Sequence, residues 1–478
     1  MILLLSIQGY RCSSHSGHKK FKMNNQLDAK LQIIRLDYQS DSLMNLFSAI
    51  EDQPWSMLLH SSAIDHIDNR YDIVVSDPIA TLETHGQVTS IHIKGQDPIT
   101  SKACPFQLLA HYQERLLPKH NPIEDLPFIG GALGYFSYDL GRRVESIPDI
   151  SKNDIPTAEM AIGIYDWALI ADHKKKTITL IQPQNSDRTH WLEQFLSIED
   201  DKSPFALVSP WSSNMTQAEY TAKFEVIHDY LQSGDCYQIN LAQRFNASYE
   251  GSEWLAYKKL AVNNGAPFSA FIRTPELAIL SVSPERFLQV KDKQIETKPI
   301  KGTRPRSCDP IADAKEADIL RNSPKDRSEN LMIVDLLRND IGRVAIPGSV
   351  KVPKLFDIES FPAVHHLVST ITGELKTEYS TYDLLKASFP GGSITGAPKI
   401  RAMEIIEELE PHRRNLYCGS IGYISRCGTM DTSITIRTLI AYKDTLYASA
   451  GGGIVADSKV ELEYEETLHK LGKILPIL

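Results

Sequence analysis

Residues 287–306 read FLQVKDKQIETKPIKGTRPR, and the way this stretch turns decides the kind of sheet the chain builds. Phe287–Val290 and Gln294–Thr297 are β-favouring runs on either side of a Lys-Asp-Lys turn, the pattern of an antiparallel hairpin. Pro299, with its fixed φ, stiffens the exit from the second strand. Side chains alternate along a strand, so Ile300 is expected to face a core and Lys301 the opposite side, toward a cavity. Gly302 lets the backbone approach a ligand closely, and Thr303 adds a hydroxyl. Arg304 and Arg306 are expected to attract an anion and to lower the pKa of Lys301, as a lysine nucleophile requires at neutral pH. Taken alone, a single lysine in such a segment reads better as part of a solvated basic loop. The decision lies outward of it.

The 478-residue chain is 42% hydrophobic and 23% charged, a composition ordinary for a soluble protein of two or three domains or one large double-layered one. A net charge of −9 argues against a nucleic-acid partner while leaving room for a locally basic pocket. Cys12, Cys104, Cys236, Cys308, Cys418 and Cys427 form no CxxC pair and no disulfide framework, which suits a reducing, cytoplasmic setting. Cys236 sits in GDCYQ, and no Gly-x-Cys-x-Gly elbow is present, so nothing resembles a glutamine-hydrolysing nucleophile and any ammonia must come from elsewhere. Four consecutive apolar residues after Met1 are too few for a secretory segment, and no stretch is suited to span a bilayer. Residues 1–23 are expected to be a dispensable, disordered extension, with Met23 an alternative start.

From about Asn24 the pattern is mixed. Helical spacing is expected over Asp41–Ile50, Pro105–Leu117, Ile311–Arg321, Arg327–Leu337, Ala397–Leu409 and Glu461–Ile474. Strands are expected at Trp55–Ser62, Tyr71–Val75, Val88–Ile93, Gly130–Tyr138, Ala161–Ala171 and Thr177–Ile181. Further strands follow at Tyr237–Phe245, Phe268–Arg273, Leu277–Val282, Ser420–Ser425, Asp431–Ala441 and Thr445–Ala450. Thr216 and Glu219 form a capping-box pattern opening a helix that Gly234 ends. A charged, proline-containing stretch near residue 210 divides an N-terminal region, 24–210, from a catalytic region, 211–478. No regular βα period and no GxGxxG occur, so hairpins with outer helices point to an α+β protein built on large packed sheets.

Three clusters favour chemistry at Lys301. Glu285, in SPERF at the start of the hairpin, is placed to lie across the sheet from the lysine as a general acid. Glu463, Glu466 and Lys470 share one helical face, and Glu329 opens another helix; two separated carboxylates with a substrate carboxylate suit an octahedral Mg²⁺. Phe389–Lys399 runs a glycine-rich turn into a helix N-terminus, Gly451–Gly453 follow a strand, and Arg437 lies in a strand beside them. Such backbones and such a guanidinium suit a small dianion.

SPERF (283–287), PIKGTRPR (299–306), KDRSENLMIVDLLRND (325–340), FPGGSITGAPK (389–399), YCGSIGY (417–423), DTSITIRT (431–438) and AGGGIVADS with EYEETLHK (450–458, 463–470) occur in the order seen in chorismate-utilising enzymes. The chain resembles that family from about Thr216 to its end and, more loosely, from WSMLLHSS (55–62) onward. The resemblance implies two large antiparallel sheets packed face to face with helices outside, both halves contributing strands. Anthranilate-forming members carry PIAGT where aminodeoxychorismate-forming members carry PIKGT. Lys301 thus implies amination of chorismate at C4, toward 4-aminobenzoate and folate. An anthranilate-forming synthase and a silent chorismate- or tryptophan-binding scaffold are the alternatives.

By the same resemblance Lys301 attacks C2, Glu285 protonates the departing C4 hydroxyl, and His366 is a second catalytic residue. Glu329 and Glu466, with Glu463 nearby, are the implied Mg²⁺ ligands. Gly302, Thr303, Tyr417, Arg437, Gly451, Gly452 and Gly453 are the implied chorismate-binding positions. Ser61, Pro267, Phe268 and Ser269 occupy positions where relatives hold tryptophan. A glutamine amidotransferase subunit is the implied source of ammonia.

Overall fold

The hairpin forms as expected. Arg286–Lys291 pairs antiparallel with Gln294–Thr297 and turns through Asp292 and Lys293, both at positive φ, the backbone that matches the twist of the two strands. It is an inner part of one of two large antiparallel sheets in this computed structural model, which describes residues 30–62, 68–196, 202–361 and 364–478. The expected extension over residues 1–23 lies outside the described residues. Among those described, one sheet has thirteen strands and the other twelve. Each draws on both sides of residue 210: Met57–His60 pairs with Phe268–Arg273 in the first, and Gly131–Phe136 with Ser420–Ser425 in the second.

Burial explains the layering. Met57, Ile73, Ile170 and Ile279 of the first sheet meet Leu133, Tyr135, Ile421 and Tyr423 of the second in a core between the sheets. The outer face of the first sheet is covered by helices Ser42–Ser48 and Glu253–Asn264, and that of the second by Pro105–Leu116, Pro324–Gly342 and Thr381–Ser388. Strands buried on both faces lose the polar alternation of a half-exposed sheet, which is why Met160–Tyr165 and Ser420–Ser425 are buried throughout. The capping box at Thr216 and Glu219 is complete, and Gly234 caps helix Gln217–Ser233 in the left-handed conformation. No helix among the described residues is long and apolar enough to cross a membrane.

Two expected long strands are each broken in two. Ala161–Ala171 is Met160–Tyr165 in one sheet and Ala168–Asp172 in the other, with Asp166 and Trp167 at the crossing and the Trp167 indole donating to the Ser76 carbonyl. Asp431–Ala441 is likewise Met430–Ile434 and Thr438–Tyr442, again in different sheets. Hydrophobic alternation continues through both crossings because the chain passes from one buried sheet into another, so periodicity cannot mark the break. The pair Lys351–Ser360 and Val364–Glu374 has no counterpart in the sequence reading. The first of these is largely exposed, pairs along one side and contains Pro353, so it lacks the apolar signature of an inner strand.

Candidate active site

The site forms where two strands cross between the sheets side by side. Leu277–Ser283 leaves the first sheet and Arg286–Lys291 enters the second, with Pro284 and Glu285 between them. Next to it Met430–Ile434 and Thr438–Tyr442 make the reverse crossing through Thr435–Arg437. The crossings are tied by Ile434 N donating to the Glu285 carbonyl (3.0 Å), Val282 N to the Arg437 carbonyl (3.0 Å) and the Ser283 hydroxyl to the Ile434 carbonyl (2.6 Å). Arg437 therefore lies between strands rather than in one, at φ +52, a costly conformation for a non-glycine residue. Its half-buried guanidinium has no hydrogen-bond or ion-pair partner among the described residues, and burial lowers its pKa with Glu285 as the acid acting on it.

Lys301 lies on strand Ile300–Pro305, which pairs with Val364–Glu374 through a bulge between Lys301 and Thr303. Gly302 supplies the bulge with φ +73. The sequence expectation for Ile300 needs correcting: the strand alternation is broken at the bulge, Pro299 is the buried neighbour, and Ile300 is only half-buried. The residue Lys301 is half-buried, but its amine reaches inward and donates to the Ser393 carbonyl at 2.9 Å. Loss of water is the largest influence on that amine and lowers its pKa against the opposing fields of Glu329 and Glu285. Lys470 is the cation that adds to the lowering. Arg304 and Arg306, expected to do so, do not: Arg306 is paired with Asp313 at 2.8 Å and Arg304 bonds the Thr303 carbonyl.

Glu285 is buried, and burial raises its carboxyl pKa despite the nearby Lys301 and the Ser393 hydroxyl. The opposite shifts suit opposite tasks: an amine that is neutral at lower pH than usual, and an acid that keeps its proton at higher pH than usual. Ser393 touches both groups and was missed in the sequence, where its loop reads only as a glycine-rich anion cradle. A Cβ on Gly302 would meet the Asp326 carboxylate and Leu320 at 2.8 Å. Gly302→Ala is expected to cost about 1–3 kcal/mol of stability. It should also lower turnover more than substrate affinity, as checked by thermal melts beside steady-state kinetics.

The three carboxylates are neighbours. Lys325, four residues before Glu329 and also missed, holds its amine 3.9 Å from Glu329 and 3.5 Å from Glu463, so one cation already faces both. Glu466 pairs with Lys470 at 2.7 Å; burial pushes its carboxyl up, but Lys470 together with Lys325 and Lys301 holds it below the usual value. Glu329, in the second turn of helix Pro324–Gly342 rather than at its start, is raised by burial. Hard oxygen donors from two helices fit Mg²⁺, which binds through one or two carboxylates and keeps several other positions for water or substrate. Among the described residues no three ligand groups converge tightly enough to cage a metal unaided.

Gly451–Gly453 lie within strand Thr445–Ile454, paired with Gln238–Glu250, and at Gly451 a side chain is barred by backbone, since a Cβ there would stand 2.6 Å from the Leu241 carbonyl oxygen. A Cβ on Gly452 would stand 2.9 Å from Glu463 Oε2, and one on Gly453 2.0 Å from Gln238 Nε2. The Lys470 amine donates to the Gly451 carbonyl at 2.8 Å. Tyr417 is buried under Arg414, whose guanidinium lies 5.6 Å from the ring centroid. Thr303 and His366 are register partners joined between Oγ1 and Nδ1 at 2.8 Å, with Phe361 edge-on to the imidazole. His365 points instead to Asp313 and Ser360. Apart from this site, Ser61 follows strand Met57–His60, whose last residue is in register with Ser269, and Arg286 lies 4.9 Å from the Phe268 ring centroid. The Ser61 hydroxyl is buried without a partner among the described residues, while its N–H donates to Asp72 at 3.0 Å.

This constellation can be compared with known proteins. The sequence profile of chorismate binding enzymes matches residues 59–476. The chain belongs to the chorismate-binding enzyme family. It is 56% identical over 93% of its length to aminodeoxychorismate synthase component 1 of Escherichia coli K12, covering 97% of that protein. It is 34% identical over 90% of its length to anthranilate synthase component 1 of Aquifex aeolicus, covering 91% of that relative. Among solved structures it resembles anthranilate synthase component I from Streptococcus pneumoniae, with TM-score 0.74 and 32% identity over 86% of this chain and 93% of that one. The E. coli isochorismate synthase MenF shares the fold at TM-score 0.71 and 15% identity, each chain covered to 94%.

Proposed function

We propose that this chain is the chorismate-aminating component of an aminodeoxychorismate synthase, a transferase that replaces the C4 hydroxyl of chorismate with an amino group. The observation that carries the reading is the pairing of a lysine amine lowered by burial with a carboxylic acid raised by burial, both against Ser393. The Lys301 amine attacks C2 of chorismate. Two conjugated double bonds shift, the C4–O bond breaks, and the oxygen leaves as water with the proton of Glu285. Ammonia then adds at C4, the double bonds shift back, and the C2–N bond breaks to return Lys301. Net change is chorismate plus ammonia to 4-amino-4-deoxychorismate plus water.

Arg437, without a hydrogen-bond or ion-pair partner among the described residues, takes a substrate carboxylate, and Gly451–Gly453 leave room for it. Mg²⁺ between Glu329 and Glu466, with Glu463 beside them, would offset the charge of a substrate carboxylate. His366, held through Thr303, orients the groups around Lys301. Ammonia comes from a glutamine amidotransferase partner in the cytoplasm. Ser61, Pro267, Phe268 and Ser269 form a separate tryptophan site, a role supported by the unpartnered Ser61 hydroxyl.

Incubation with chorismate, Mg²⁺ and an ammonium salt, followed by product analysis with and without an aminodeoxychorismate lyase, tests the reading: 4-aminobenzoate should appear only with the lyase. Anthranilate as product would overturn it. Arg437→Met is expected to raise KM for chorismate about 100-fold, the worth of roughly one charged hydrogen-bonded pair, with a smaller effect on kcat.

A further inference from the structure

Lys399 has no part in the roles above, yet it stands at the base of the loop that carries Ser393. Helix Thr381–Ser388 ends immediately before the loop, and helix Lys399–Leu409 begins immediately after it. The Lys399 amine donates back across the gap to the Ser388 carbonyl at 3.1 Å, joining the two ends. It also pairs with the buried carboxylate of Asp340, near the end of the helix that carries Glu329. Inside the loop the Thr395 hydroxyl donates to the Gly391 carbonyl (3.2 Å), and Arg414 donates to the Ile394 carbonyl (3.0 Å). The Ser393 carbonyl, at the middle of the loop, receives the Lys301 amine.

We propose that Lys399 is a positioning residue: a staple that closes the 389–398 loop onto helix Pro324–Gly342 and so fixes Ser393 against Lys301 and Glu285. A buried ion pair is a poor source of net stability, because desolvation offsets the attraction. Its value here is geometric. One amine registers three elements, two of which bring a group to the site: the helix with Glu329 and the loop with Ser393, both held to the start of the helix that Lys399 opens. The inference rests on the reading of Lys301 and Glu285 as nucleophile and acid.

The test compares wild type with Lys399→Met, Lys399→Arg and the double variant Lys399→Met/Asp340→Asn, which leaves no uncompensated buried charge and guards against simple misfolding. Two readouts are taken: steady-state amination of chorismate at saturating ammonium, and the rate at which trinitrobenzenesulfonate modifies Lys301, followed by peptide mass spectrometry. Loss of the staple should lower kcat about 100-fold with KM changed less than about threefold, since displacing a reacting group by an ångström has that effect. Lys301 should be modified about tenfold faster as the loop opens locally, and Lys399→Arg should restore most of both. A folded double variant with wild-type kcat, or with Lys301 modified at the wild-type rate, overturns the proposal. If wild type does not aminate chorismate but the modification rates change as stated, the staple stands and the functional reading falls.

Discussion

Lys301→Ala should lower kcat for amination about a thousandfold even at saturating ammonium, equivalent to roughly 4 kcal/mol of barrier. The argument rests on what the amine does that ammonia cannot. Direct displacement at C4 asks one step to expel hydroxide while a nucleophile approaches the same carbon. Capture at C2 divides this in two, with Glu285 supplying the proton for the first departure and a nitrogen leaving group in the second. Free ammonium therefore cannot replace the missing side chain, as it could if Lys301 merely bound substrate charge. The fold should tolerate the change well, because alanine removes a buried amine whose burial is itself unfavourable. Rapid quenching of wild type with chorismate in the absence of ammonia should reveal a protein adduct equal to chorismate less one water, and the alanine variant should show none. Undiminished amination by the variant would remove the covalent step.

Much of this site was readable in the sequence, and what was not has physical causes. The hairpin, the capping box at Thr216 and most of the inner strands follow from local chemistry: turn residues, caps and alternation. Glu285, Lys301 and the three carboxylates stand out by residue type and spacing, and the fold brings them together. Ser393 was hidden because its contribution is partly a backbone carbonyl, which every residue possesses. The crossings at Asp166–Trp167 and Thr435–Arg437 were hidden because alternation persists when a strand leaves one buried sheet for another. Arg437 was consequently placed in a strand, when its left-handed backbone at the crossing is what aims it at the site. The cause of the Lys301 shift was misread for a similar reason. Sequence proximity suggested Arg304 and Arg306, whereas burial, a property of tertiary packing, is the larger influence.

Glu285→Gln carries the second large effect. The amide matches the carboxyl in size but cannot give a proton to the leaving oxygen, so kcat should fall about 10²- to 10⁴-fold, the usual worth of a well-placed general acid. The pH profile supplies a sharper test. Wild-type activity needs Lys301 neutral and Glu285 protonated, so the rate falls on the acid side as Lys301 gains a proton and on the basic side as Glu285 loses one. The glutamine variant should keep the acid limb and lose the basic one. Stability should move in the opposite sense. Burial raises the folded pKa of Glu285 above its ordinary 4.5. The native state therefore holds the proton longer than the unfolded chain, and stability is lost as pH rises from 4.5 through the folded pKa. Glutamine has no proton to lose, so the variant should melt higher than wild type at pH 8 and level with it near pH 4. A variant that is slower yet more stable in alkali would show that this acid is held protonated at the expense of the fold. A melting difference independent of pH would mean that Glu285 does not titrate across this range, and would remove the physical basis for its role as the acid.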